Sequence, residues 1–250
     1  MHRKILVVDH KVAFIGGVNV HQGAINWRDL VVVMKGSMVP RIVKLFVKDY
    51  EYAGGKDQSI LSFRKRKFLH NTKSWVIEHS PFRKRFDMNN AYRKYIGEAQ
   101  SEVIIVTPYF APKRWFAVLL EQAALRGVKV EVLVPEKTEN TLLDRCNYFY
   151  MSRLVYPGIR FLVEPFMNHA KILLIDQKIA LVGSQNIDFL SSELNAEVGV
   201  FITDQSATQK LLSIVDDWKK DTVVFDSNKY KLSRWDKVLA HFFNLFVKMI

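Results

Sequence analysis

Two stretches of the chain carry residue types suited to chemistry on a phosphodiester. Residues 2–19 read HRKILVVDHKVAFIGGVN and residues 169–186 read HAKILLIDQKIALVGSQN, a gapless internal repeat. His2, Lys4, Asp9, Gly16 and Asn19 match His169, Lys171, Asp176, Gly183 and Asn186. Side chains alternate along a strand, so the His and Lys of each copy project side by side from one face. Brought together, the copies offer two imidazoles in a cationic, donor-rich setting. One imidazole can attack phosphorus while the other protonates the leaving oxygen. Lys4, Lys171, Asn19, Asn186 and Ser184 are then the groups expected to bind the phosphoryl oxygens and stabilise their charge. This chemistry calls for no metal and no cofactor, and none is expected.

Each imidazole needs a partner to fix its tautomer. Asp29 and Glu197 stand at matched places after His2 and His169, which makes them the orienting acids. Which acid serves which histidine depends on how the two copies pack. Five residues at this spacing arise by chance about once in 10⁷ starts, so their double occurrence points to function rather than to solvated surface pairs.

The elements that must hold these residues follow from the hydrophobic pattern. Ile5–Val8 and Val12–Ile15 read as strands joined by a turn at residues 9–11, and Leu30–Met34 as a third strand before a helix over Val39–Tyr50. A helix is expected from Met88 to Glu98. Strands and helices then alternate: strands 102–107, 129–134, 159–163, 170–175 and 180–182, with helices over 113–125 and 141–154. That alternation predicts an α/β sandwich. The division expected is 1–59 for the first repeat unit, 60–100 for a basic linker and helix, 101–226 for the second unit, and 227–250 for a basic and then apolar tail.

The second copy is preceded by a long α/β segment, residues 101–168, and the first only by Met1. The repeat therefore predicts a first lobe that lacks its front half, in an N-terminally truncated form of a two-lobed protein. With 49% apolar and 25% charged residues, the composition is that of a globular chain rather than a disordered or collagen-like one. A single cysteine, Cys146, excludes an internal disulfide and is read as a packing residue. The net charge of +12 favours a polyanion, either nucleic acid or an anionic membrane.

These motifs resemble the phospholipase D superfamily, whose HxK(x)4D(x)6G(S/G)xN pattern stands twice here, and within it most closely the bacterial cardiolipin synthases. The likeness extends through IGGVN (15–19), WRDL (27–30), TPYFAP (107–112), RGVKVEVLVPEKT (126–138), GSQNID (183–188) and LNAE (194–197). The resemblance implies a two-lobed α/β/α sandwich with a pseudo-twofold repeat and the active site between the lobes. It implies a phosphatidyltransferase that works through a phosphohistidine, with His2 as nucleophile and His169 as general acid and then base. His2, Lys4, Asp9, His169, Lys171 and Asp176 are the family's catalytic motif residues, with the aspartates more structural than chemical. Alternatives are a hydrolase or nuclease of the same superfamily, or an inactive remnant.

Anionic phospholipids such as phosphatidylglycerol are the expected partners, with nucleic acid disfavoured. A peripheral position on the bacterial cell membrane is expected, through the basic surface and the apolar segment 238–250. Tyr109 and Phe110 stand where a strand end would face the site, as a substrate-lining loop or as packing. Trp27, near the first motif, is read either as lining the acyl entrance or as core packing, with packing favoured. Arg64–Lys67 and Arg83–Arg85 read as solvated charge.

Overall fold

A computed structural model describes residues 1–65 and 73–230. The expected tail and the end of the first basic cluster, Arg66 and Lys67, lie outside the described residues. The first repeat folds as β1 (Ile5–Val8), β2 (Val12–Gly16) and β3 (Val31–Lys35), an antiparallel three-stranded sheet, followed by α1 (Val39–Tyr52). A short α2 (Gln58–Leu61) follows. The remainder builds one nine-stranded sheet from β4 (Ser74–Ser80), β5 (Arg85–Phe86), β6 (Glu102–Val106), β7 (Lys129–Pro135), β8 (Ile159–Glu164), β9 (Ile172–Ile175), β10 (Ile179–Gly183), β11 (Glu197–Ile202) and β12 (Val223–Val224). Its order is β12-β8-β7-β6-β9-β10-β11-β4-β5, with β6, β7 and β8 parallel and the other pairs antiparallel. The helices are α3 (Asp87–Glu98), α4 (Arg114–Leu125), α5 (Thr141–Arg153) and α6 (Gln205–Lys219).

The helix expected over Met88–Glu98 is α3, but residues 74–86, read as basic linker, form β4 and β5 of the large sheet. β4 pairs with β11 over its whole length, Ser74 opposite Ile202 through His79 opposite Glu197, and α3 packs beneath the sheet. β4 escaped notice because basic residues bracket it and Glu78 and His79 interrupt its apolar run.

The large sheet is buried on both faces, and its strands read as continuous apolar runs for that reason. Val103, Ile105, Leu173 and Ile175 face the core shared with α3, α4 and α5. Ile104, Val106, Ile172, Leu174, Ala180 and Val182 face the opposite core, where they meet Ala13 and Ile15 of β2, Met34 of β3, one side of α1, and α6. The three-stranded sheet and the nine-stranded sheet thus pack face to face. That packing brings the N-terminal ends of the two motif strands together.

The motif aspartates explain the hairpins rather than the chemistry. Asp9 and His10 have φ of 50° and 54°, and Asp176 and Gln177 have φ of 51° and 57°. Each pair forms a two-residue turn closed by Lys11 N–H to the Val8 carbonyl, or Lys178 N–H to the Ile175 carbonyl, both 3.0 Å. Paired left-handed residues match the twist of the flanking strands, and Asp tolerates that region better than most side chains. The Asp176 carboxylate also accepts the backbone N–H groups of Gln100, Ser101 and Glu102 at 2.8–3.2 Å, which ties the hairpin to the start of β6 and holds its pKa below the usual carboxylate range despite partial burial. At about 3.3 Å per residue, Asp176 stands ~20 Å along the strand from His169. Asp9 and Asp176, named with the catalytic motif but expected to be more structural than chemical, are turn residues at the far end of the strands.

Asp176→Ala should lower unfolding stability by about 1–2 kcal/mol, the worth of partly exposed charge-assisted hydrogen bonds, read as a shift in the urea midpoint. The His169 ring resonances should stay where they are in the wild type.

Candidate active site

The packing of the two sheets crosses the chain over itself at both motif histidines. The backbone N–H of His2 donates to the Ala196 carbonyl at 3.0 Å, and that of His169 donates to the Arg28 carbonyl at 2.7 Å. Each acceptor is the residue just before the orienting acid of the other copy. The acids are exchanged accordingly. His2 Nδ1 lies 2.9 and 3.0 Å from the two oxygens of Glu197, and His169 Nδ1 lies 3.0 Å from Asp29 Oδ2. A carboxylate on Nδ1 makes that nitrogen the donor and leaves Nε2 of each ring for chemistry. His169 and both acids are buried, whereas His2 keeps 28% of its side chain exposed.

The lysines fold back in the same way in both copies. Lys4 Nζ donates to the His2 carbonyl at 3.0 Å, and Lys171 Nζ to the His169 carbonyl at 2.6 Å. Lys171 Nζ also lies 2.8 Å from His169 Nε2. Burial lowers the pKa of both ammoniums, with Glu197 and Asp29 opposing it. Lys171, the deeper of the two, is pushed down to about 7. Burial also lowers His169, and the Asp29 hydrogen bond partly restores it.

The donors expected on phosphate divide. Ser184 Oγ donates to Glu197 Oε2 and accepts Val198 N–H at 3.1 Å, so it braces the His2 partner instead of facing a phosphate. In the first copy the same place is Gly17, and a Cβ there would stand 2.4 Å from Asp29 Oδ1 and 2.8 Å from the His169 carbonyl. The shorter acid thus comes with the glycine and the longer acid with the serine. Asn186 is buried beside Asp188, and its Oδ1 has no partner among the described residues. Asn19 is half-buried at the matching position.

Several residues that hold the site were not singled out from the sequence. Arg3, between His2 and Lys4, takes the opposite face of its strand and is almost fully buried. Its Nε donates to the Glu197 carbonyl at 3.0 Å, and its Nη2 to the His79 carbonyl at 2.9 Å. Its Nη1 lies 2.7 Å from both oxygens of Asp49. The repeat holds a clue to this, since Arg3 stands opposite Ala170. Arg28, beside Asp29, donates to Glu164 at 2.5 Å and Asp221 at 2.6 Å. Glu164 accepts from Asn168 Nδ2 at 2.9 Å, the residue before His169. Asp188, half-buried, adds a further carboxyl at the site, and desolvation raises its pKa.

Three further readings change or are decided. Trp27 is not a core residue: it is half-buried, with its ring 5.3 Å from that of His169. Tyr109 and Phe110 split, Tyr109 standing edge-on to His169 at 6.5 Å and Phe110 fully buried against Phe161. Arg83 and Arg85 are not simply solvated, since both pair with the buried Glu78, at 3.3 and 2.8 Å. Cys146 is buried, as expected for packing.

Residues 92–218 match the family model described as "Cardiolipin synthase, PLD-like domain". The chain belongs to this phospholipase D-like family. Among curated relatives, it is 30% identical to a probable cardiolipin synthase, YwiE, of Bacillus subtilis, over 98% of this chain and 51% of that protein. It is 30% identical to a cardiolipin synthase of Clostridium perfringens, over 84% of this chain and 47% of that one. The chain spans about half the length of the curated relatives it matches. Solved structures share the fold. A phosphatidylserine synthase from Haemophilus influenzae aligns over all of this chain and 69% of its own at TM-score 0.68 and 15% identity. NucT from Helicobacter pylori aligns over 61% of this chain and 99% of its own at TM-score 0.53 and 23% identity. The α/β reading of the sequence agrees with these neighbours.

The buried Lys171 sets a pH dependence that can be isolated by difference. Its folded pKa of about 7 lies below the unfolded value of 10.5. Between these values the unfolded chain binds more protons, so this group makes stability rise with pH from about 7 upward and costs stability below it. Wild type minus Lys171→Met, measured as urea stability from pH 6 to 10, should show that rising component. Inorganic phosphate should bind in the opposite sense, more weakly as pH rises past 7.

Proposed function

We propose that this chain carries the reaction centre of a cardiolipin synthase-type phosphatidyltransferase. The observation that supports it best is the exchange of acids between the repeats, His2 with Glu197 and His169 with Asp29. Two imidazoles, each with its Nδ1 on a carboxylate, suit a two-step displacement at phosphorus, with Lys171 Nζ, 2.8 Å from His169 Nε2, turning to the phosphoryl oxygens when substrate binds. In this reading His2 Nε2 attacks the phosphorus of a phosphatidylglycerol. The bond to the glycerol oxygen breaks, and His169 Nε2–H gives that oxygen its proton. A hydroxyl of a second phosphatidylglycerol then attacks the phosphohistidine, passing its proton to His169 Nε2 and releasing His2. The products are cardiolipin and glycerol.

The roles follow the environments. His2, the more exposed ring, is the one a bulky phosphodiester reaches. His169 is lowered by burial, which favours the neutral form that accepts the proton in the second step. The first step needs it protonated, and the negative charge of a bound phosphodiester favours that form. Lys4, Lys171 and Asn186 stabilise the phosphoryl oxygens. Asp29 and Glu197 hold the rings, with Ser184 holding Glu197. Hydrolysis differs only in the second acceptor, water in place of a lipid hydroxyl.

Incubation with phosphatidylglycerol radiolabelled in the phosphatidyl phosphate, followed by alkaline denaturation, should trap base-stable, acid-labile label on His2. His2→Ala should abolish both trapping and turnover, and His169→Ala should lower turnover by about 10²–10⁴-fold. Label on no histidine, or turnover that survives His2→Ala, contradicts the reading. Nicked plasmid with no lipid product would reassign the same site to nucleic acid.

A further inference from the structure

Each repeat has a loop that leaves the site at its asparagine and returns to it at its acid: Asn19 to Asp29, and Asn186 to Glu197. The loop ends are fixed, and Ile187 and Ala196 are buried, but four aliphatic side chains between the ends stand out from the surface. Val20 is fully exposed and Ile25 is 76% exposed in the first loop, while Leu190 is 55% and Leu194 39% exposed in the second. In the second loop Leu190 and Leu194 bound a single π-helical turn, whose Glu193 is drawn aside to Lys113 at 2.8 Å.

Both loops border the reacting groups. Trp27, near the end of the first, stands over His169, with His21 edge-on to it at 5.3 Å. Ile187, at the start of the second, bridges to Phe110 and accepts Ala111 N–H at 2.8 Å, next to Tyr109 and its contact with His169. Phe166, three residues before His169, is also half-exposed, with the Arg28 guanidinium 4.7 Å from its ring centre.

Single exposed apolar residues need no explanation, but a set gathered around one site marks a binding surface. The proposed substrate says which kind. In a phospholipid the phosphodiester sits a few bonds above the acyl chains. A phosphorus placed between His2 and His169 therefore puts the start of those chains at the loops. Aliphatic side chains with a nearby Trp suit the boundary between headgroups and acyl chains; the preference for an anionic leaflet comes from the chain as a whole, at +12, since residues 18–27 and 187–194 themselves hold no Lys or Arg.

We infer that residues 18–27 and 187–194 are the surface that seats this chain on an anionic bilayer, with Val20, Ile25, Leu190 and Leu194 entering the headgroup–acyl boundary. The inference rests on the proposed function only in taking a bilayer lipid as substrate. It locates the membrane contact at the mouth of the site, independently of the tail beyond residue 230.

The one native cysteine, Cys146, is buried, so single labels can be placed in a Cys146→Ser background. Ile25→Cys and Leu190→Cys, each carrying an environment-sensitive fluorophore, should blue-shift with phosphatidylglycerol vesicles and stay unchanged with phosphatidylcholine vesicles. Leu125→Cys, 68% exposed at the end of α4, and Val33→Cys, 54% exposed on the outer face of the small sheet, should not respond. No shift at 25 and 190, or a shift at 125 or 33 in their place, overturns the assignment. Ile25→Asp with Leu190→Asp should reduce vesicle partitioning about tenfold or more. Undiminished partitioning overturns it too. Repeating the fluorescence with His2→Ala reads docking without turnover, so failure of the catalytic reading leaves this result standing by itself.

Discussion

Everything in this site depends on the exchange of carboxylates between the two repeats. Neither copy of the motif is complete alone. His2 takes its acid from β11 of the large sheet, and His169 takes its acid from just before β3 of the small one. The face-to-face packing of the sheets is thereby coupled to the protonation geometry of both rings. Backbone bonds from each histidine to the residue before the opposite acid hold the register that makes the pairing possible. Arg3 adds a second tie, from the first motif strand to the carbonyls of Glu197 and His79, which face each other across β11 and β4.

The exchange is symmetric in topology and unequal in chemistry. Glu197 is long enough to leave space that Ser184 fills and bonds, while Asp29 comes so close to Gly17 that no Cβ fits. His169 and Lys171 are buried, and both lose basicity to burial; the His2 half opens toward solvent. Two rings from one ancestral pattern thus sit in different dielectric settings. Division of labour between a nucleophile and an acid–base catalyst needs such a difference.

Much of this was legible in the sequence. The repeat gave the histidines, lysines and matched acids without any structure, because strand alternation fixes which residues share a face. The strands of the large sheet were legible because burial on both faces leaves unbroken apolar runs. The pairing of acids was not, since it depends on how two distant segments pack. Arg3 was not singled out because it alternates away from His2 and Lys4, yet its face is covered by α1 and β4. Asp9 and Asp176 carried the motif's spacing, and the spacing records a left-handed two-residue turn, a backbone requirement that looks the same in sequence as a catalytic one. Trp27 shows the converse: an aromatic residue for which core packing was the favoured reading stands beside the His169 ring.

The most direct test of the exchanged pairing is nitrogen-15 NMR of the histidine rings. Glu197→Gln should move the Nδ1 resonance of His2 and leave that of His169 in place, and Asp29→Asn should do the reverse. If Glu197→Gln moves His169 and spares His2, each histidine pairs within its own repeat and the account of the site fails.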